Sequence, residues 1–238
     1  MIPKVIHYCW FGKNKKPKSV IKCIKSWKRY CPDFEIIEWN EDNSDFLSCL
    51  YAKQAFENKK WAFVADYVRL KALFENGGLY FDTDYELIRP IDFFYNNSFF
   101  TGFETVDRIA TGIMGCDKGF PFLKEWLNDY LKREFIKKDG SFDLTPNVSI
   151  FTKMLAQKGF ELNNKLQVIN GIFVYPSHYF YPLNYQTNKI FITKETYGIH
   201  HYDGSWMTGK DKFLKMIGPR LTKILVKIKH IFRRPKNE

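Results

Sequence analysis

Apolar residues run together from Val5 to Trp10 and stop at Phe11-Gly12, the pattern of a buried strand closed by a turn. Val20, Ile24 and Trp27 then recur at near-helical spacing across Ser19 to Tyr30, ahead of a break at Pro32. Phe34 to Trp39 reads as a second strand, closed by Asn40-Glu41-Asp42-Asn43. Strand, helix, strand is the opening of a βαβ unit, so the pattern predicts an α/β domain with a mixed, mostly parallel central sheet flanked by helices.

The strongest helical signal spans Trp61 to Asn76, where Phe63, Tyr67, Leu70 and Phe74 make one stripe and Gly77 stands at the C′ position. Leu79 to Leu87 follows as one strand. Phe99 to Gly102 and Ile109 to Gly115 are further strands, and Pro121 to Phe135 is a helix with proline near its start. Phe160 to Phe191 is rich in Asn, Tyr and Pro and reads as loops with short strands. Thr196 to His201 is the last strand.

Length and composition narrow this further. The 238 residues suit one domain with a full core, and 45% apolar with 26% charged residues excludes fibrous and wholly disordered classes. Five unclustered cysteines without a C-x-x-C pair indicate neither a disulfide framework nor a zinc site, which points to a reducing, cytoplasmic setting. No secretory leader is read at the N-terminus, and no run reaches the roughly 20 apolar residues of a membrane span.

The net charge of +11 is concentrated at one end: from Lys210 onward ten basic residues face two acidic ones, which accounts for +8. Leu214, Ile217, Leu221, Ile224, Leu225, Ile228, Ile231 and Phe232 recur there at helical intervals. The chain is therefore divided into a catalytic domain, 1–208, and a basic amphipathic C-terminal helix, 209–238. Two readings of that helix stand: peripheral attachment to an anionic membrane surface, or packing on its own domain with a solvated basic face. A nucleic-acid partner is the rival for so basic a chain, but no zinc-finger, RRM or homeodomain pattern is present.

Candidate chemistry lies in the centre. Asp66 and Arg69, three apart, share one helical face. After Gly77-Gly78, the residues Tyr80, Asp82 and Asp84 alternate, so on an extended chain they point to one side with the carboxylates about 7 Å apart. Two hard oxygen ligands at a strand's C-terminal end can hold Mn2+ or Mg2+ against a diphosphate, at the edge where open α/β sheets bind ligands. The same carboxylates would also suit a metal-dependent nucleotidyl- or phosphotransferase.

The block from Ala65 to Asp84, A-D-Y-V-R-x-x-x-L-F-E-N-G-G-L-Y-F-D-T-D, resembles the sugar-binding region of glycosyltransferase family 32. That family includes bacterial capsular and surface-polysaccharide transferases and relatives of yeast mannosyltransferases. The opening Ile2 to Gly12 and the closing Ile199-His200-His201-Tyr202-Asp203-Gly204-Ser205-Trp206 are similar to the same family. The resemblance implies a GT-A type nucleotide-sugar-binding fold and retaining, metal-dependent transfer from a nucleoside-diphosphate sugar, uridine before guanosine, to a glycan hydroxyl. It implies a lipid-linked acceptor in surface polysaccharide synthesis, and a place in the cytoplasm or on the inner face of its membrane.

Roles follow residue by residue from that likeness and from the distantly similar glucosyltransferase domain of large bacterial toxins. Asp84 would bind the metal and Asp82 serve metal and ribose. Asp66 and Arg69 would hold the donor's hydroxyls, Trp10 would stack on the base with Tyr80 as a lesser contact, and Trp206 would close over the diphosphate. Adjacent strand residues face opposite sides, so one of His200 and His201 reaches the cation. His201 is favoured, because its His-x-x-Gly pattern is similar to the third metal ligand of related enzymes. The acceptor is expected near a loop at Thr145-Pro146-Asn147.

Overall fold

The computed structural model describes residues 1–185 and 187–203. Its elements run β1 (Val5–Cys9), α1 (Lys18–Tyr30), β2 (Glu35–Trp39), α2 (Leu50–Glu57), α3 (Trp61–Asn76), β3 (Gly78–Phe81), β4 (Tyr85–Leu87), β5 (Phe99–Thr105), β6 (Arg108–Ile109) and β7 (Ile113–Cys116). They continue α4 (Pro121–Tyr130), α5 (Asn147–Gln157), β8 (Gln167–Ile169), β9 (Ile172–Tyr175), α6 (Ser177–Phe180), β10 (Leu183–Asn184), β11 (Lys189–Ile190) and β12 (Gly198–His200). Trp206 and the basic tail lie outside the described residues.

The central sheet has the order β2-β1-β3-β7-β5-β9-β8, with β6 paired to β5. β1 is parallel to β2 and β3, and β5 to β9, while β7 and β8 run against their neighbours. Five of the seven strands on this path therefore share one direction. This is the mixed, mostly parallel sheet that the opening strand-helix-strand pattern predicts. Period-two alternation then divides the core. Cys9, Tyr80, Phe99, Met114 and Val174 meet α2 to α5 on one face, whereas Ile6, Tyr8, Leu79, Phe81 and Phe100 meet Trp27 of α1 and Phe180 of α6 on the other. All five cysteines are buried free thiols.

Three sequence expectations change. α3 is not a one-sided helix: Val64, Asp66, Tyr67, Val68, Arg69, Leu70, Ala72 and Leu73 are all buried, because α2 and α4 pack beside it as well as the sheet. The strand expected from Leu79 to Leu87 is two strands. A turn closed by Tyr85 N donating to Asp82 O at 2.9 Å ends β3, and β4 leaves to pair with β12 in a separate small sheet. The expected loop at Thr145-Pro146-Asn147 is the start of α5, with Pro146 as its N-cap.

The α3–β3 junction sets the edge where the site lies. Gly77 and Gly78 both have positive φ, 68° and 97°. A Cβ at Gly78 would meet Val5 Cγ1 at 2.4 Å and Val5 O at 2.5 Å, so no other residue fits between α3 and β1. His7, fully buried on β1, locks the same junction: Trp39 donates its indole N–H to Nδ1 at 3.1 Å, so Nε2 carries the proton and donates to Gly77 O at 2.9 Å. Burial pushes the His7 pKa down to about 4, against the pull of the Gly77 hydrogen bond.

A depressed histidine contributes stability above its unfolded pKa near 6.5, and that contribution is lost as pH falls through about 4. Chemical denaturation between pH 7 and pH 4 should therefore show a loss on the order of 3 kcal/mol from this residue, at about 1.4 kcal/mol per pKa unit. His7→Gln, which can keep both hydrogen bonds but does not titrate, should flatten that slope. An unchanged slope would remove His7 from the acid response.

Candidate active site

Strand β3 ends at Phe81, and the turn after it, closed by the Tyr85 N–H on Asp82 O, brings Asp82 and Asp84 together at the sheet's edge. On an extended chain their carboxylates would stand about 7 Å apart. Here one oxygen of each, with a ring nitrogen of His200, lies within 4.8 Å of the others. His200 Nε2 is 3.2 Å from Asp84 Oδ1 and 3.6 Å from Asp82 Oδ2.

The histidine is the one not favoured from sequence. β12 pairs with β4 so that His200 stands opposite Tyr85 and Ile199 opposite Glu86. His201 turns the other way, and its Nε2 meets Glu86 Oε2 at 2.8 Å. The placement of His201 at the aspartate pair is thereby corrected: Glu86 on β4 supplies it with a partner, and strand alternation gives the aspartates to His200.

Behind the aspartates, Arg69 reaches in from α3. Its Nη2 pairs with Asp66 Oδ1 at 2.9 Å, its Nη1 with Asp82 Oδ1 at 3.2 Å, and Nη1 also donates to Thr111 O at 3.1 Å. The guanidinium lies 4.7 Å from the centroid of the Tyr80 ring, and the Tyr80 hydroxyl donates to Asp82 Oδ1 at 3.0 Å. Asn147, first residue of α5, donates to Asp66 Oδ1 at 2.6 Å and accepts from Thr111 Oγ1 at 3.1 Å. The structure thus brings together Asp66, Arg69, Tyr80, Asp82 and Asp84. Trp10 stands at the C-terminal end of β1, half-buried, donating its indole N–H to Asn14 O at 2.7 Å.

Thr111 and Asn147 escaped the sequence reading as members of this network. The usable signal was a polar residue directly after Pro146, where helices begin. What it lacked was any hint that α5 brings that side chain to α3.

The electrostatics follow from burial. Desolvation pushes the Asp66 carboxyl up to about 7, opposed by Arg69 and assisted by the charge of Asp82. For Arg69, burial opposes the charge, but Asp82, Tyr80 and Asp66 outweigh it and raise its pKa well above the ordinary value. Burial likewise opposes protonation of His200, yet Asp84 and Asp82 together push it up to about 10.

These groups suit a divalent cation. Two carboxylates and an imidazole are a donor set for manganese and a less good one for magnesium. A Cβ on Gly112 would come within 3.1 Å of Asp82 Oδ2 and 3.2 Å of His200 Nε2, so the missing side chain leaves room between them. Nδ1 of His200 is buried without a hydrogen-bond partner among the described residues, which leaves the ring's orientation to the carboxylates.

Three comparisons bear on this site. Residues 17–101, which include the Asp82-Thr83-Asp84 turn, match the family described as glycosyltransferase sugar-binding region containing DXD motif. The chain is 29% identical over 126 residues to inositol phosphoceramide mannosyltransferase 3 of Schizosaccharomyces pombe, a match covering 51% of this chain and 35% of that one. The chain thus spans about a third of that relative's length. Among solved structures it is similar to the PaToxG glycosyltransferase, with a TM-score of 0.50 and 16% identity over 66% of this chain and 69% of that one. That likeness is one of fold.

Asn147→Ala should lower folding stability by about 1–3 kcal/mol, because it leaves the buried Asp66 carboxylate short of a donor. Chemical denaturation of the full chain measures this, and a change within error would mean that Asn147 does not support Asp66. Residues 17–101 thus match the glycosyltransferase sugar-binding region containing the DXD motif, and the mixed α/β fold is similar to that of a solved glycosyltransferase.

Proposed function

We propose that this chain is a retaining, divalent-cation-dependent glycosyltransferase of the family 32 kind, moving a sugar from a nucleoside-diphosphate sugar to a hydroxyl of a lipid-linked glycan in bacterial surface-polysaccharide assembly. The observation that carries the reading is the convergence of Asp82, Asp84 and His200 in front of the Arg69–Asp66 pair. A phosphotransferase needs only the metal ligands. The buried pair behind them presents hydrogen-bonding groups toward which sugar hydroxyls can be held.

In this reading Asp82, Asp84 and His200 hold the cation, whose charge would neutralise what develops on the departing diphosphate. Asp66 and Arg69 fix the donor's sugar hydroxyls, and Tyr80 orients Asp82 through its hydroxyl. Trp10 offers its ring to the nucleotide base, as Trp206 does its side chain to the diphosphate. The acceptor hydroxyl forms the new bond to the anomeric carbon on the face from which the diphosphate leaves, and its proton passes to the departing phosphate. Retention follows from that shared face. The printed name of the fission-yeast relative supports a lipid-borne polyol as the acceptor class and mannose as a sugar to test.

Purified chain screened with manganese against UDP- and GDP-sugars should release nucleoside diphosphate and form a glycosidic linkage, with a uridine donor preferred. Asp84→Ala should cut turnover at least about 10²-fold, the scale of losing a main electrostatic contact in a transition state. Equal turnover in that variant, or release of pyrophosphate, would overturn the reading.

The basic residues after Lys210 support a place on the inner face of the cytoplasmic membrane. No helix among the described residues is long and apolar enough to cross a membrane. Removing the residues after Thr208 should abolish retention on vesicles containing anionic lipid. Loss of DNA binding with vesicle retention intact would favour a nucleic-acid role for the tail instead.

A further inference from the structure

Beside the Asp82–Asp84–His200 cluster lies a cleft of about 540 Å³ that the donor-side residues do not line. One wall is the β5–β6 hairpin, from Glu104 to Arg108, and the other is the segment from Ser177 to Tyr185, with Phe191 at the rim. None of Asp66, Arg69, Asn147 and Trp10 is part of it. The volume falls in the ordinary range for small-molecule sites.

The cleft and the cation cluster share a partition. Tyr181 lines the cleft, and its ring stands 5.7 Å from that of His200. Tyr185 lines it too, its ring tilted against that of Tyr202 at 5.3 Å, while the Tyr202 ring lies 4.3 Å from that of His200. Through this partition one cleft residue reaches the reaction centre electrostatically. The Glu104 carboxylate feels the charges of both His200 and Asp82, as well as those of Arg108 on its own hairpin.

Glu104, half-buried on the lining of the cleft, is an acceptor-only group when ionised. Burial pushes its carboxyl upward, against His200, Arg108 and the Tyr202 hydroxyl, so its water shell is incomplete and a hydrogen-bond donor is favourable there. Its surroundings combine flat rings with short polar side chains. Phe191 is 64% exposed, and Tyr185, Asp107 and Asn184 lie along the same lining. An exposed ring beside carboxylate and amide groups recognises a hydroxylated ring by its apolar face and its edge together.

We propose that this cleft takes the acceptor, that its occupant is a hydroxylated ring (a sugar or cyclic polyol), and that Glu104 accepts a hydrogen bond from the attacking hydroxyl and aims it at the donor's anomeric carbon. The inference rests on the glycosyltransferase reading and adds the acceptor's place and class to it. Glu104 keeps its charge through the step: the acceptor oxygen bonds to the anomeric carbon, the bond to the diphosphate breaks, and the acceptor's proton goes to the leaving phosphate.

The test uses the full chain with manganese and the donor found in the screen. Nucleoside diphosphate release is followed alone and with methyl glycosides of common hexoses and myo-inositol as probes. At least one probe should stimulate release in the wild type. Glu104→Gln should raise the KM for that probe at least tenfold while the donor KM moves less than threefold. Phe191→Ala, an exposed position whose loss does not endanger folding, should raise the same KM several-fold. Undiminished probe affinity in both variants would overturn the assignment, and so would stimulation by hydroxyl-bearing peptides but by no ring. Failure of the wild type to turn over any nucleotide sugar would instead sink the glycosyltransferase reading, and this inference with it.

Discussion

A single buried guanidinium holds the site in place. Arg69 sits between Asp66 on its own helix and Asp82 at the end of β3, with Thr111 O and the face of Tyr80 taking what remains of its hydrogen-bonding and electrostatic reach. Burying a charge is costly, and breaking a buried pair by deleting one partner costs more than the pair is worth intact. Here the four partners come from α3, from β3 and the turn after it, and from the segment before β7, so the guanidinium ties the helix to the sheet edge by charge as well as by packing. The placement of the Asp82 carboxylate is therefore set from behind, by a residue that need not touch the reacting atoms.

The same arrangement leaves the front of the site short of positive charge. Asp66, Asp82 and Asp84 face one guanidinium, and the balance is partly made up by His200, whose pKa the aspartates push up to about 10. A divalent cation would answer the same deficit while leaving the imidazole neutral, the form in which it is a ligand. The excess of negative charge at the mouth and the raised histidine are two expressions of one constraint. Both follow once Arg69 is committed to the rear of the cluster.

Much of this was legible in the sequence because it is local. The i, i+3 spacing of Asp66 and Arg69, the paired glycines and the alternation of Tyr80 with Asp82 all lie within 20 residues, and helix and strand geometry translate them directly into neighbours. The histidine was not legible for the same reason. Its identity depends on the register of β12 against β4, and β4 exists as a separate strand only because the chain turns at Asp82 to Asp84. Reading Leu79 to Leu87 as one strand hid that turn, and with it Glu86 as a competing partner for His201. The two misreadings are one error, since a turn made of residues suited to metal binding has no apolar pattern to announce it. Asn147 illustrates the other limit. A polar residue after proline marks a helix start, but nothing local says that this start is driven against Asp66, 81 residues away.

The position of the cluster between two sheets bears on how the site can work. Asp82 is anchored to the central sheet, through its N–H to Gly112 O at 2.8 Å and through Arg69, whereas His200 belongs to the small β4–β12 sheet. Asp84 stands in the turn between them, its carbonyl accepting the N–H of His201 at 3.0 Å. A ligand bridging the aspartates and His200 therefore ties the small sheet to the large one. Tyr202, directly after this strand, holds a positive φ of 54°, unusual for a bulky residue, with its ring packed against His200. Contact with the histidine ring helps to hold Tyr202 in this conformation. Whatever displaces His200 must also disturb Tyr202 and, through Tyr185, the wall of the neighbouring cleft. The position of the His200 ring and the shape of the cleft are in this way joined, because the rings of His200, Tyr202 and Tyr185 run in contact from one to the other.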